Sequence, residues 1–175
     1  MRHILSLKHW QLFITIFLPS ILVGLFSIDI LGMWHVITSV WGIMIYLLWL
    51  YTVGIIFNTN FNKSVLLFKA CFFYNVIWIL IFSGYNSERA ANTLWQILCI
   101  LVGLFSSFYM IYFATKSLVF FRENNGDRDV SFLRLFLCFW FFPIGVWLLQ
   151  PSLNKYMYDR YIINTIGPKG NEGHV

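Results

Sequence analysis

The sequence predicts an all-α polytopic membrane protein, a bundle of hydrophobic transmembrane helices. Two observations carry that expectation. Hydrophobic residues make up 59% of the 175, aromatic residues 21% and charged residues only 11%, whereas soluble domains average roughly 45–50% apolar and about 25% charged. The apolar residues also gather in five long runs that are apolar on every side, which suits helices in lipid and not the alternating strands of a barrel. A chain this short has too little interior to hide such an excess from water.

The runs cover residues 12–28, 34–57, 65–83, 94–114 and 132–149. Each is close to the length needed to cross a hydrocarbon core of roughly 30 Å at about 1.5 Å per residue. The first follows Arg2 and Lys8 like a signal peptide, but no small-x-small cleavage site comes after it, so it reads as an uncleaved helix. A turn at Ser27, Ile28 and Asp29 then makes a hairpin with the second run, with Asp29 as the expected cap. Asn58, Thr59, Asn60, Asn62 and Ser64 form the next turn and offer an N-cap to the third run. Gly84 to Arg89 links the third to the fourth. The longest connection, 116–131, holds the one strongly charged stretch.

The fifth run carries Pro143 and Gly145 near its middle. Proline removes an N–H and presses on the carbonyl four residues back, so a kinked span is expected there. Gln150 and Pro151 should end it. Leu153, Tyr156, Met157 and Tyr161 then follow at helical spacing, as in a short helix lying on the interface. One transmembrane domain, 1–166, and a flexible tail, 167–175, complete the expected organisation. Trp10, Trp34, Tyr85, Trp95 and Tyr112 stand near segment ends, where amphipathic rings favour headgroups.

Charge sets the orientation. The formal charge is +5, yet the twelve Lys and Arg are scattered between apolar runs, which argues against nucleic acid as a partner. With five spans, eight basic residues fall on the N-terminal side and four on the other, placing the N-terminus in the cytoplasm. If the fifth segment instead re-enters, the tail returns and the bias becomes eleven to one. A re-entrant segment must bury its broken backbone in protein, and the apolar Phe139 to Phe142 run looks lipid-facing, so five spans are preferred.

Polar residues inside apolar runs are where function is sought first. Asn75, beside Tyr74 at the centre of the third run, lines a substrate path on one reading and glues two helices on the other. Lys69 and Arg134 lie near helix ends and can snorkel. Small residues four apart (Ser20 and Gly24, Thr38 and Gly42, Gly103 and Ser107) mark close helix seams. The heptapeptide ILVGLFS occurs at 21–27 and again at 100–106; with nothing matching beside it, it reads as coincidence from a restricted alphabet and not as a transporter repeat.

Chemistry-bearing patterns are scarce. His3, His9, His35 and His174 do not fall at metal-ligand spacing, and no paired carboxylates sit within a run. Cys71, Cys99 and Cys138 fall in apolar runs without a CxxC spacing and read as packing residues. Glu123, Asp127 and Asp129 fail a calcium-loop register because Phe132 takes the twelfth position. No metal or other cofactor is expected.

The stretch 141–155, FFPIGVWLLQPSLNK, together with the opening Lys8-His9-Trp10-Gln11, resembles small uncharacterised bacterial multi-pass inner-membrane proteins. That resemblance implies a bacterial inner membrane and no particular activity. The reading of the residues is a non-enzymatic subunit or assembly partner whose partners are the bilayer and other membrane proteins or copies of itself. The alternatives are a small transporter or channel with its path at Tyr74, Asn75 and the Pro143–Gly145 kink, and a lipid-modifying enzyme with its chemistry in the 122–129 loop.

Overall fold

The computed structural model describes residues 7–25, 32–58, 65–83, 93–127 and 130–166. Among them all regular structure is helical. Six helices follow in order: α1 (His9–Leu25), α2 (Gly32–Phe57), α3 (Val65–Ser83), α4 (Thr93–Asn124), α5 (Phe132–Trp140) and α6 (Phe142–Ile166). By length and composition α2 and α4 can cross a membrane, through Val40–Phe57 and Ile97–Asn124. Shorter apolar stretches, Trp10–Pro19 and Val65–Ile81, belong to α1 and α3. Asp29, residues 59–64 of the expected capping turn, and the tail 167–175 lie outside the described residues.

The first four helices form an up-and-down bundle. The Trp41 indole donates to the Thr15 carbonyl at 3.2 Å, joining α2 to α1. Phe68 of α3 stacks on Tyr51 of α2 and on Phe113 of α4, with ring centroids 5.6 and 4.4 Å away. Phe57 and Phe121 meet at 4.8 Å where α2 and α4 both end, which defines the base of the bundle. The core sits in that half: Trp49, Val53, Phe57, Phe68, Met110, Ala114 and Leu118 are all but sealed. In the other half Leu94, Trp95, Leu101 and Phe105 of α4 stay more than half exposed.

α4 runs ten residues past its expected end. A left-handed Gly126 at φ 86° terminates it, with Gly126 N–H donating to Glu123 O and Asp127 N–H to Arg122 O, both at 3.1 Å. This is a Schellman closure, in which glycine accepts a backbone that a Cβ would resist. Ser131 then caps α5 through the Arg134 N–H.

The fifth segment departs most from expectation. In place of one helix kinked at Pro143 there are two, and the axes of Phe132–Trp140 and Ile144–Tyr158 turn by 119°. The break falls at Phe141, with φ −87° and ψ 65°. Pro143 stands in the first turn of α6, where a missing N–H has no intrahelical partner to lose. Nor is there a separate interfacial helix over 153–161, because α6 continues through Pro151. Pro151 is exposed while Gln150 and Leu153 beside it are wholly buried, so packing keeps the helix running although one hydrogen bond is lost.

α6 therefore returns to the base beside α1. Phe142 faces Phe17 at 6.4 Å, Trp147 faces Phe13 at 6.0 Å, and Gln150 and Asn154 both donate to the Leu7 carbonyl. At the base, Tyr156 meets Phe121 at 5.6 Å. The turn between α5 and α6 stands about halfway up the bundle, level with Tyr46 and Phe108.

Candidate functional site

Asn75 is buried between α3 and α4 at 6% exposure, and its amide is fully engaged. The Nδ2 group donates to Cys71 O at 2.8 Å and Ser106 Oγ at 2.7 Å, with Met110 Sδ at 3.8 Å. Oδ1 accepts from Ser107 Oγ at 2.9 Å. Ser106 Oγ donates in turn to Cys71 O at 3.1 Å. Next to it Tyr74 donates to Cys99 O at 3.0 Å. Both residues thus bind α3 to α4. The hydrogen bonds given for the two side chains lie within that helix pair.

Two of the three predicted seams find helix contacts. Gly103 lies against Tyr74 and Trp78, and Gly42 against the Ile16 carbonyl; the side chains of Ser20 and Gly24 lie outside the description. All three cysteines carry free, half-buried thiols.

Pro143 and Gly145 belong to a different place, the α5–α6 reversal, and the structure does not bring them together with Tyr74 and Asn75. Gly145 is where the two helices touch backbone to backbone: a Cβ there would overlap the carbonyl of Cys138. Gly145 N–H donates to Phe141 O at 2.8 Å, and Phe141 N–H to Leu137 O at the same distance. The carbonyl of Phe139, left open by the end of α5, accepts from the Tyr46 hydroxyl at 3.0 Å. A helix end in an apolar interior must be satisfied in this way.

Below the reversal lies a polar hub not singled out from the sequence. Gln150, 0% exposed, accepts from Trp49 Nε1 at 2.9 Å and donates to Leu7 O at 3.0 Å and Asn154 Oδ1 at 3.2 Å. One side chain so ties α1, α2 and α6. The signal available was a glutamine and an asparagine four apart, on one helix face.

At the base Arg122 grips Asp127 Oδ2 through Nε and Nη2, at 3.0 and 2.7 Å, and Tyr156 donates to the same oxygen at 3.2 Å. The Arg122 hydrogen bonds hold the Asp127 carboxyl below the usual carboxylate range, aided by the Tyr156 hydroxyl. A depressed folded value makes this latch fully effective above the unfolded value near about 4 and lost as pH falls through the folded value. Thermal unfolding of the parent and of Asp127→Asn should therefore differ by a constant amount above about pH 5 and converge as the pH falls through the depressed folded value. A difference that grew on acidification would contradict the latch.

Of the acidic loop residues, Glu123 is exposed, Asp127 is engaged by Arg122, and Asp129 lies outside the described residues. Among the described residues no three His, Cys, Asp or Glu side chains converge. Every buried polar side-chain atom among them has a partner. The chain matches no protein-family model, no curated protein and no solved structure.

Proposed function

We propose that this is a multi-pass protein of a bacterial inner membrane, with its N-terminus in the cytoplasm, that acts without chemistry of its own as a subunit or assembly partner. α1 to α4 cross the bilayer, and α5 with α6 enters to mid-depth and returns. At about 1.5 Å per residue the 17 residues of α1 and 19 of α3 reach roughly 26 and 29 Å, enough for a slightly thinned bilayer.

The carrying observation is the state of the interior polar groups. Asn75, Tyr74, Gln150 and Tyr46 are spent on neighbouring helices. What the chain offers to others is its apolar wall. Charge supports the orientation: all six Lys and Arg whose side chains are described (Lys8, Lys69, Lys116, Arg122, Arg134 and Lys155) lie in the base half, and a returning α6 gives the eleven-to-one bias.

One observation favours a transporter as the second reading, since helices broken at mid-depth frame many transport sites. Native mass spectrometry of mildly solubilised membranes separates the two. A complex with a second polypeptide or copy is expected, with Asn75→Leu lowering stability by about 1 kcal/mol, as interhelical hydrogen bonds in membranes do. A lone monomer whose measured solute flux disappears in Asn75→Leu at unchanged melting temperature would establish the path instead.

A further inference from the structure

We infer that the groove between α4 and α5 seats one anionic phospholipid of the base-side leaflet, its phosphate at Lys116 and one acyl chain along the aromatic strip above; this rests on the re-entrant reading. Lys116 is exposed, and its Nζ lies over the Tyr112 ring at 5.7 Å. From that ring the strip continues inward. Tyr112 meets Phe132 at 5.7 Å, Phe132 meets Phe136 at 6.0 Å, Phe136 meets Trp140 at 6.4 Å, and Trp140 stacks on Phe108 at 4.2 Å. Phe132, Trp140, Phe108 and Tyr112 each remain between 37% and 43% exposed, so the strip is open along its length.

Length chooses the occupant. Along the spanning helix α4 the step from Lys116 to Phe108 rises about 12 Å, close to half of a hydrocarbon core of roughly 30 Å. That is the reach of one leaflet's acyl chain, whereas a partner's spanning helix would need the full thickness. Charge chooses the headgroup. The described cations all lie in the base half, and Asp127 is already neutralised by Arg122, so an anionic lipid gains where a zwitterionic one does not.

The test is native mass spectrometry of the full chain from nanodiscs holding equal phosphatidylglycerol and phosphatidylcholine. One phosphatidylglycerol per chain should be retained preferentially. Lys116→Gln should reduce that retention about fivefold, the effect of one cation near the surface, while Lys116→Arg keeps it and Lys155→Gln on the far helix leaves it unchanged. Trp140→Leu should shorten retention of both lipids. Equal retention of the two lipids by the parent, equal loss in Lys116→Gln and Lys155→Gln, or a polypeptide held in the groove would each overturn the site. A reporter after Val175 keeps the two levels apart. A cytoplasmic C-terminus without lipid preference rejects the site alone, and an outward one rejects the topology beneath it.

Discussion

Gly145→Ala is expected to be the most damaging single-methyl change in the chain. The added carbon would overlap the Cys138 carbonyl, which is backbone and cannot swing aside. Relief requires α6 to move off α5. That would strain the Gly145 to Phe141 bond and pull Phe142 from between Tyr46 and Trp49, whose rings it meets at 4.5 and 5.5 Å. Overpacking of a dense core costs about 1–3 kcal/mol, and more where backbone must shift, so a loss at or above the top of that range should appear in detergent unfolding. A variant that melts with the parent would mean the two backbones do not meet.

Gln150→Leu should rank second, by a different mechanism. Leucine is close in volume, so packing is largely preserved, but the buried Trp49 indole N–H loses its acceptor. A buried donor left without a partner costs about 1–3 kcal/mol. The Leu7 carbonyl keeps Asn154 at 3.2 Å, so the loss concentrates on the indole. A double-mutant cycle with Trp49→Phe makes this visible: once the donor is gone, removing the acceptor should cost much less. Strictly additive losses would show that the Trp49–Gln150 bond does not hold the hub together.

The two sites differ in how far the sequence disclosed them. Asn75 stands out because an amide within an apolar run must find a partner, and Ser107 belongs to a small-residue seam with Gly103. Ser106, also bonded to it, sits in the repeated heptapeptide, where nothing distinguished it. Gln150 does not stand out because, next to Pro151, it looks like the polar end of a span.

The helices themselves were legible from apolar run length, and 65–83 is recovered to the residue as α3. The reversal of the fifth segment was not, for a physical reason. A proline inside a kinked span and a proline opening a new helix leave the same local pattern. What decides between them is the contact of Gly145 with Cys138, made only once the chain has turned, and the Tyr46 hydroxyl on Phe139, made across the fold. The end of α4 escaped likewise, since Lys116, Ser117 and the polar run from Arg122 to Asn125 resemble a loop until Gly126 shows where the helix closes.

The proposed topology has α5 and α6 turn back at mid-depth, with both ends of the chain on one side. Reporters active only in the cytoplasm and only outside, fused in turn before Met1 and after Val175, measure this directly. Cytoplasmic activity at both ends is the expected result. A cytoplasmic N-terminus with a C-terminal fusion active only outside would contradict the account and restore a single crossing through Pro143.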